Sequence, residues 1–370
     1  MGLFSRSKPK DKTAAATPAT VEAPQPAAPA PGPRAISIGL QGGGSHGAFE
    51  WGVLDKILED GRLSIAAITA ASAGATNALA LITGLQQDGA RGARAKLDQL
   101  WRAVNQSGGR NVFGDSALWT AAFNPDWLKS NPFYGYFETL MTSSSPYEFN
   151  PFNLNPLRDV LNQVVDFDAV RASPVQLFVS ATDVRAGKEK VFTREELTVD
   201  AALASSALPF LFQAVEVNGT PYWDGGYLGN PPLWPLYYAD TPRDILIVML
   251  NPFRRKETPR AAGEIVDRLN EITFNAALTA ELRALAFVQK LIEDGMLTET
   301  AKGKYRCMLI HAIEADGHLD DLPMASKFDT EWNFLTNLKA RGQRAADAWL
   351  KAHFDDVGVR SSVDVRERFL

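Results

Sequence analysis

The sequence predicts an α/β fold, a mainly parallel central sheet with helices on both faces, and three observations lead to it. Short apolar runs rich in Ile, Val and Leu alternate along the chain with longer segments of helical period. Two of these runs end in small-residue turns that lead into helices, as happens at the carboxyl ends of parallel strands. With 370 residues, 45% hydrophobic and 10% aromatic, the chain can also bury a large core.

The first strand is expected at 36–40, where ISIGL runs into Gln41, Gly42, Gly43 and Gly44, with a helix over 47–59. A second strand at 64–69 runs into Ala70, Ala71, Ser72, Ala73 and Gly74, then helices over 73–86 and 91–104. The stretch Leu63 to Gln87 has no charge and could span a bilayer by length. It is mostly Ala, Ser, Thr, Asn and Gly, however, so it reads as strand, turn and buried helix. Further strands are expected at 176–182 (QLFVSAT), 213–217, 244–250 (DILIVML) and 305–311, and helices at 154–164, 197–207, 262–293 and 328–354. In the longest of these helices Leu278, Leu282, Leu285 and Leu291 lie near helical spacing, which points to core packing. Asp183 ends the strand SATDV and reads as a turn residue.

Between 105 and 153 the helical period fails and aromatics gather, from Phe113 and Trp119 to Phe149 and Phe152. A long aromatic loop in a compact domain suits a lid or an acyl-chain wall, and equally a satellite core beneath the loop. No internal repeat is visible.

The chemistry centres on three short motifs. Ser72 stands on a strand-to-helix turn, which lifts Oγ out of the sheet and exposes it to a reacting carbonyl. Ala70, Ala71, Ala73 and Gly74 are the small neighbours such a turn requires. Gly42, Gly43 and Gly44, entering a helix, offer bare backbone N–H groups for a developing oxyanion. Residues 222–226, YWDGG, hold Asp224 between an aromatic residue and Gly225 and Gly226.

In this order the motifs resemble the patatin-like phospholipase family, with its glycine-rich oxyanion loop, G-x-S-x-G elbow and D-G-G/A motif. The resemblance runs from Ile36 to the C-terminal helices and includes ASSALPFLF at 204–212. It implies the patatin-like form of the α/β fold and a lipid acyl hydrolase, with Ser72 as nucleophile, Asp224 as its base and the glycine loop as oxyanion hole. The chain departs from the family pattern twice. Ala70 replaces the first glycine of the elbow, and His46, one residue before Gly47, stands where the family usually has an arginine. A neutral, structural imidazole suits His46, because a cation in a first helical turn opposes the helix dipole.

An aspartate is a weaker base than a histidine by about 2.6 pKa units, or roughly 3.5 kcal/mol. Desolvation of the carboxylate and one oxyanion donor, worth about 2.7–4 kcal/mol, are of the right size to offset the gap. A Ser-Asp-His triad is the alternative, because Ser72, Asp224 and then His311, His318 or His353 match the chain order of α/β-hydrolases. His311 lies in an apolar strand, His318 in a polar turn and His353 on a charged helix, so none has the loop a triad histidine occupies. A third reading keeps the fold as a non-catalytic protein on a lipid or storage-granule surface.

The spacing of Gly42, Gly44 and Gly47 also matches a dinucleotide fingerprint in form. The second strand ends without the acidic residue that would hold a ribose, and no lysine follows as in a phosphate-binding loop. No cofactor is expected. Nor is a metal: four histidines and one cysteine are scattered without ligand spacing.

Residues 1–34 are Pro- and Ala-rich with no apolar period and read as a disordered basic arm before a domain over 35–355 and a tail over 356–370. Five basic residues against two acidic ones give the arm +3, leaving −8 for the rest of a chain of net charge −5. An acidic body without a basic groove disfavours nucleic acid. The arm suits peripheral contact with an anionic membrane, and a solvated tail explains it equally. A single cysteine, Cys307, precludes an intrachain disulfide and fits the cytoplasm, and MGLFSR fits neither a signal peptide nor a myristoylation site. Head group and oligomeric state are not specified by these patterns.

Overall fold

A computed structural model describes residues 32–108, 145–298 and 305–370. The arm lies outside the described residues up to position 31, as do residues 109–144 of the aromatic stretch and the lid expected there. Arg34 already opens the first strand, and its guanidinium donates to the carbonyls of Phe354 and Val357.

Among the described residues eight strands form one sheet in the order β5-β6-β3-β2-β1-β7-β8, with β4 on β3. Strands β1 (Arg34–Leu40), β2 (Leu63–Ala70), β3 (Gln176–Asp183), β7 (Asp244–Val248) and β8 (Leu309–Ile313) are parallel. β4 (Lys188–Thr193) and β6 (Thr220–Asp224) run antiparallel to β3, and β5 (Val215–Val217) forms a hairpin with β6. Both faces are covered, which follows from the near-continuous apolar strands. Along β7, Leu246 and Val248 join one core and Ile245 and Ile247 the other. The first core holds Phe49, Trp51 and Leu54 of helix α1 (Gly47–Asp60), and the second holds Leu278, Leu282 and Leu285 of the long helix Ala262–Glu293.

The expected elements recur with shifted ends. Helix α2 (Ala73–Gly108) is two helices joined at Asp88 and Gly89, whose backbones leave the helical region, matching the two expected segments. The helix expected at 154–164, α3, starts at Pro156 behind the Asn155 cap, and that expected at 197–207, α4, is Val199–Ser205 behind Thr198. The long helix is therefore α5, and α6 is Trp332–His353. The expected start of α6 at 328 is a separate 3-10 turn, Met324–Phe328, and the strand expected at 305–311 begins only at Leu309, where pairing with Asp244 starts. β4 and β6 were not expected. Residues 356–370, set apart above as a tail, fold back onto the domain because Val365 and Phe369 are buried in the second core. Asp183 does hold a turn, accepting from the N–H groups of Arg185 and Ala186.

Sheet register positions the site. Leu40 pairs with Ala70, so Gly42 comes level with Ser72 one step beyond the strands. Ala70 pairs with Val179, and two residues on, Ala181 pairs with Asp224. Asp224 thus reaches the height of Ser72 from the other side of β3. The two helices that leave these turns are tied at their starts: Asn77 donates to Gly47 O (2.9 Å) and Glu50 Oε2 (3.0 Å) and accepts from Trp101 Nε1 (3.0 Å).

Candidate active site

Ser72 is the one residue of its turn with left-handed backbone, φ 52°. For a residue with Cβ this costs on the order of 1–3 kcal/mol, which the surrounding contacts must hold in place. Helix α2 begins at the next residue, with Gly74 N bonded to Ala71 O and Thr76 N to Ser72 O. Ala70 is an ordinary buried strand residue, so the elbow needs no glycine there: the positive φ falls two residues later. Gly74 is needed for space, since a Cβ would lie 2.5 Å from Leu40 O. Ala73 faces Gly47 so closely that a Cβ on Gly47 would lie 2.8 Å from that of Ala73.

Both candidate catalytic residues hang on one segment that the sequence reading noted but assigned no task. Ser205 Oγ accepts from Ser72 N (2.9 Å), and Ala207 O accepts from Asp224 N (2.9 Å). Both belong to the ASSALPFLF stretch. Asp224 is fully buried; its Oδ1 accepts from Gly226 N (2.7 Å), and its carbonyl accepts from Thr182 Oγ1 (2.8 Å). Gly225 and Gly226 are sites of close approach, against Ser180 and the Phe274 ring. Burial pushes the Asp224 pKa up to about 6, against the downward pull of Gly226 N–H, the Ser72 hydroxyl and the Lys327 ammonium. Oδ2 makes no hydrogen bond among the described residues. Catalytic hydrogen bonds commonly tighten only when substrate is bound.

The glycine loop divides its labour. Gly42 packs against Ser72, where a Cβ would come within 2.8 Å of the serine Cβ, and its N–H is taken by Asn230 Oδ1 (2.5 Å). It is therefore engaged as a donor, contrary to its inclusion in the expected oxyanion set. The N–H groups of Gly43 and Gly44 precede the 3-10 turn Gly44–His46 and have no partner among the described residues. Gly44 is left-handed, φ 57°, and a Cβ there would lie 2.4 Å from Lys327 O.

A buried amide network, absent from the sequence reading, fixes this loop. Gln41 Oε1 accepts from Leu250 N (2.8 Å), Asn251 N (3.1 Å) and Asn251 Nδ2 (3.2 Å). Gln41 Nε2 donates to Asn230 O and Asn275 Oδ1, both at 3.1 Å. Isolated amides in a sequence carry no motif, so only the folded chain reveals them.

His46 is buried and neutral. Ser326 Oγ donates to Pro323 O (2.7 Å), so at 2.7 Å from His46 Nε2 it accepts, which puts the imidazole proton on Nε2. Burial, with Lys327 nearby, lowers the pKa of His46 to about 3. None of the other histidines bonds to Ser72 or Asp224. His311 pairs with Asp244 (3.0 Å), His353 with Asp356 (2.9 Å), and His318 packs its ring on Phe49. Among the described residues no cluster of His, Cys, Asp and Glu could hold a metal, and no helix is long and apolar enough to cross a membrane.

A family model described as patatin-like phospholipase matches residues 39–237, more than half of the chain. Among solved structures the chain is similar to VipD from Legionella pneumophila, at 14% identity and TM-score 0.33, covering 86% of this chain and 67% of that one. It is also similar to full-length ExoU of Pseudomonas aeruginosa in complex with SpcU, at 15% identity and TM-score 0.26, covering 90% and 76%. No curated protein matches the chain.

Proposed function

Because the chain belongs to the patatin-like phospholipase family, a family of lipid acyl hydrolases, we propose that it cleaves carboxylic esters of lipids through Ser72 and Asp224, as a phospholipase A or lysophospholipase. The observation that carries this reading is the Asp224 carboxylate: buried at the level of Ser72 across β3, with Oδ2 making no hydrogen bond among the described residues, and its pKa pushed up by burial to about 6. That value nearly removes the deficit of an aspartate relative to a histidine.

In the proposed reaction Ser72 Oγ attacks the ester carbonyl as its proton passes to Asp224 Oδ2. Charge gathers on the carbonyl oxygen, where the N–H groups of Gly43 and Gly44 receive it. The C–O bond to the alcohol then breaks and the leaving oxygen takes the proton from Asp224. Water attacks the acyl-enzyme, losing its proton to Asp224, and Ser72 departs with that proton.

The test is hydrolysis of a panel of short-chain esters and phospholipids. Wild type should turn over, Ser72→Ala should not, and His311→Ala, His318→Ala and His353→Ala should each keep most activity. A loss of several orders of magnitude in one histidine variant would point to a triad, and inactive wild type to a non-catalytic surface protein.

The basic arm is proposed to give peripheral contact with anionic membranes, on Arg6, Lys8, Lys10 and Lys12 against Asp11 and Glu22, a net +2 once Arg34 is counted with the first strand. Deleting residues 1–32, which leaves Arg34 and the first strand intact, should weaken binding to phosphatidylserine vesicles at low salt while leaving turnover of a soluble ester unchanged. Equal vesicle binding by both forms would remove this role.

A further inference from the structure

With His46 neutral, the glycine loop carries no cation of its own, yet a buried ammonium stands directly behind it. Lys327 lies in the 3-10 turn Met324–Phe328, outside the stretch that the family model matches. Its backbone packs on Gly44, and its side chain turns inward, donating to Asn251 Oδ1 (2.8 Å) and Asn270 Oδ1 (3.1 Å). The ammonium also lies 5.3 Å from the centroid of Phe274, the ring against Gly226. Asn251 in turn donates to Gly42 O and Gln41 Oε1, so the lysine is wired to the loop through one amide.

Its two hydrogen-bond acceptors are neutral. The carboxylate of Glu271 is committed to Arg255 and Arg268, leaving Lys327 without an ion pair among the described residues. Its hydrogen bonds thus go to amides alone, while the carboxylates of Glu271 and Asp267 support its charge from further off. The cavity beside it, lined by His46, Asn251, Asp267 and Asn270 among others, measures about 10 Å³. That is room for roughly one water, so the ammonium is not placed to receive a ligand.

We propose that Lys327 is a positioning residue of the hydrolytic site: from behind the glycine loop its fixed charge holds Asp224 in the ionised form and supplies the cation that the loop, with His46, lacks. The proposal rests on the Ser72–Asp224 reading above. Burial raises the Asp224 pKa and Lys327 opposes it, and burial, with Asp224 nearby, raises that of Tyr227. Burial lowers Lys327 to about 8 while Glu271, Asp267 and Asp224 support its charge, so it is mostly protonated at pH 7.

The test is the pH dependence of kcat on a soluble ester, measured on the full chain. Wild type should rise through a limb near pH 6, set by Asp224. Removing a neighbouring cation raises a carboxylate pKa, so Lys327→Met should move that limb upward by about half a unit or more. Activity would then fall roughly 3- to 10-fold at pH 5.5 and far less at pH 8. Lys327→Arg, which keeps the charge, should restore the limb. If Lys327→Met does not fold, Asn270→Asp, which pairs the ammonium in place, should shift the limb in the same direction. A folded variant without the charge but with an unmoved limb would overturn the proposal, because a purely structural lysine changes amplitude and not the limb. Ser72→Ala run alongside separates the two levels: hydrolysis that does not need Ser72 removes the underlying reading, whereas Ser72-dependent hydrolysis with an unmoved limb removes only the role of Lys327.

Discussion

Asp224→Asn is expected to lose hydrolysis by about 10³- to 10⁴-fold, the upper range for a general base, and to make the folded protein more stable at neutral pH. The sign follows from the raised pKa. An aspartate whose pKa goes from 3.8 unfolded to about 6 folded is disfavoured in its charged form by the fold. The penalty is absent below pH 3.8, grows as pH rises through about 6 and is constant above it, at roughly 3 kcal/mol. Asparagine carries no such penalty, and its Oδ1 can still accept from Gly226 N. Denaturant unfolding at pH 8 should therefore favour the variant by up to about 3 kcal/mol, and the difference should vanish near pH 4. A variant less stable than wild type at pH 8 would show that the carboxylate is structural.

Gly44→Ala is expected to cost about 10²- to 10³-fold in kcat, the scale of a lost oxyanion donor. Two effects combine there. The backbone is left-handed, and the new methyl would meet Lys327 O at 2.4 Å, which a carbonyl in a packed turn cannot vacate without moving the loop. Gly61 is a matched control, left-handed at φ 72° with nothing within 4 Å of its Cβ position. Gly61→Ala should cost about 1 kcal/mol of stability and leave kcat unchanged. Similar kcat losses in both variants would mean that backbone strain, and not the loop's position, governs activity.

The sheet's parallel half was legible because β1, β2, β3 and β7 are buried on both faces and so read as unbroken apolar runs. The antiparallel half was legible only at β5, expected at 213–217; β4 and β6 were missed. β6 contains Pro221 and two charge-free aromatics, and it is short; the signal for it was the Asn218–Gly219 pair, both at positive φ, a two-residue hairpin turn between β5 and β6. β4, KEKVFT, is polar and follows a tight turn at Gly187, so its sequence resembles a loop. At the site, Ser72, Asp224 and the glycines announced themselves because their motifs are contiguous. Gln41, Asn230, Asn251, Asn275 and Lys327 did not, because their function comes from long-range contacts between single polar residues with no spacing to read. Asn230 also explains why three consecutive glycines do not supply three donors: one N–H is spent on positioning the loop.

The central claim is that Ser72 is activated by a carboxylate alone. Its most direct measurement is labelling by a fluorophosphonate probe with the adduct located by peptide mass spectrometry. The account predicts a single adduct on Ser72 in wild type, formed faster as pH rises through about 6, retained in His311→Ala, His318→Ala and His353→Ala, and lost in Asp224→Asn. An adduct on another residue, or undiminished Ser72 labelling in Asp224→Asn, would contradict it.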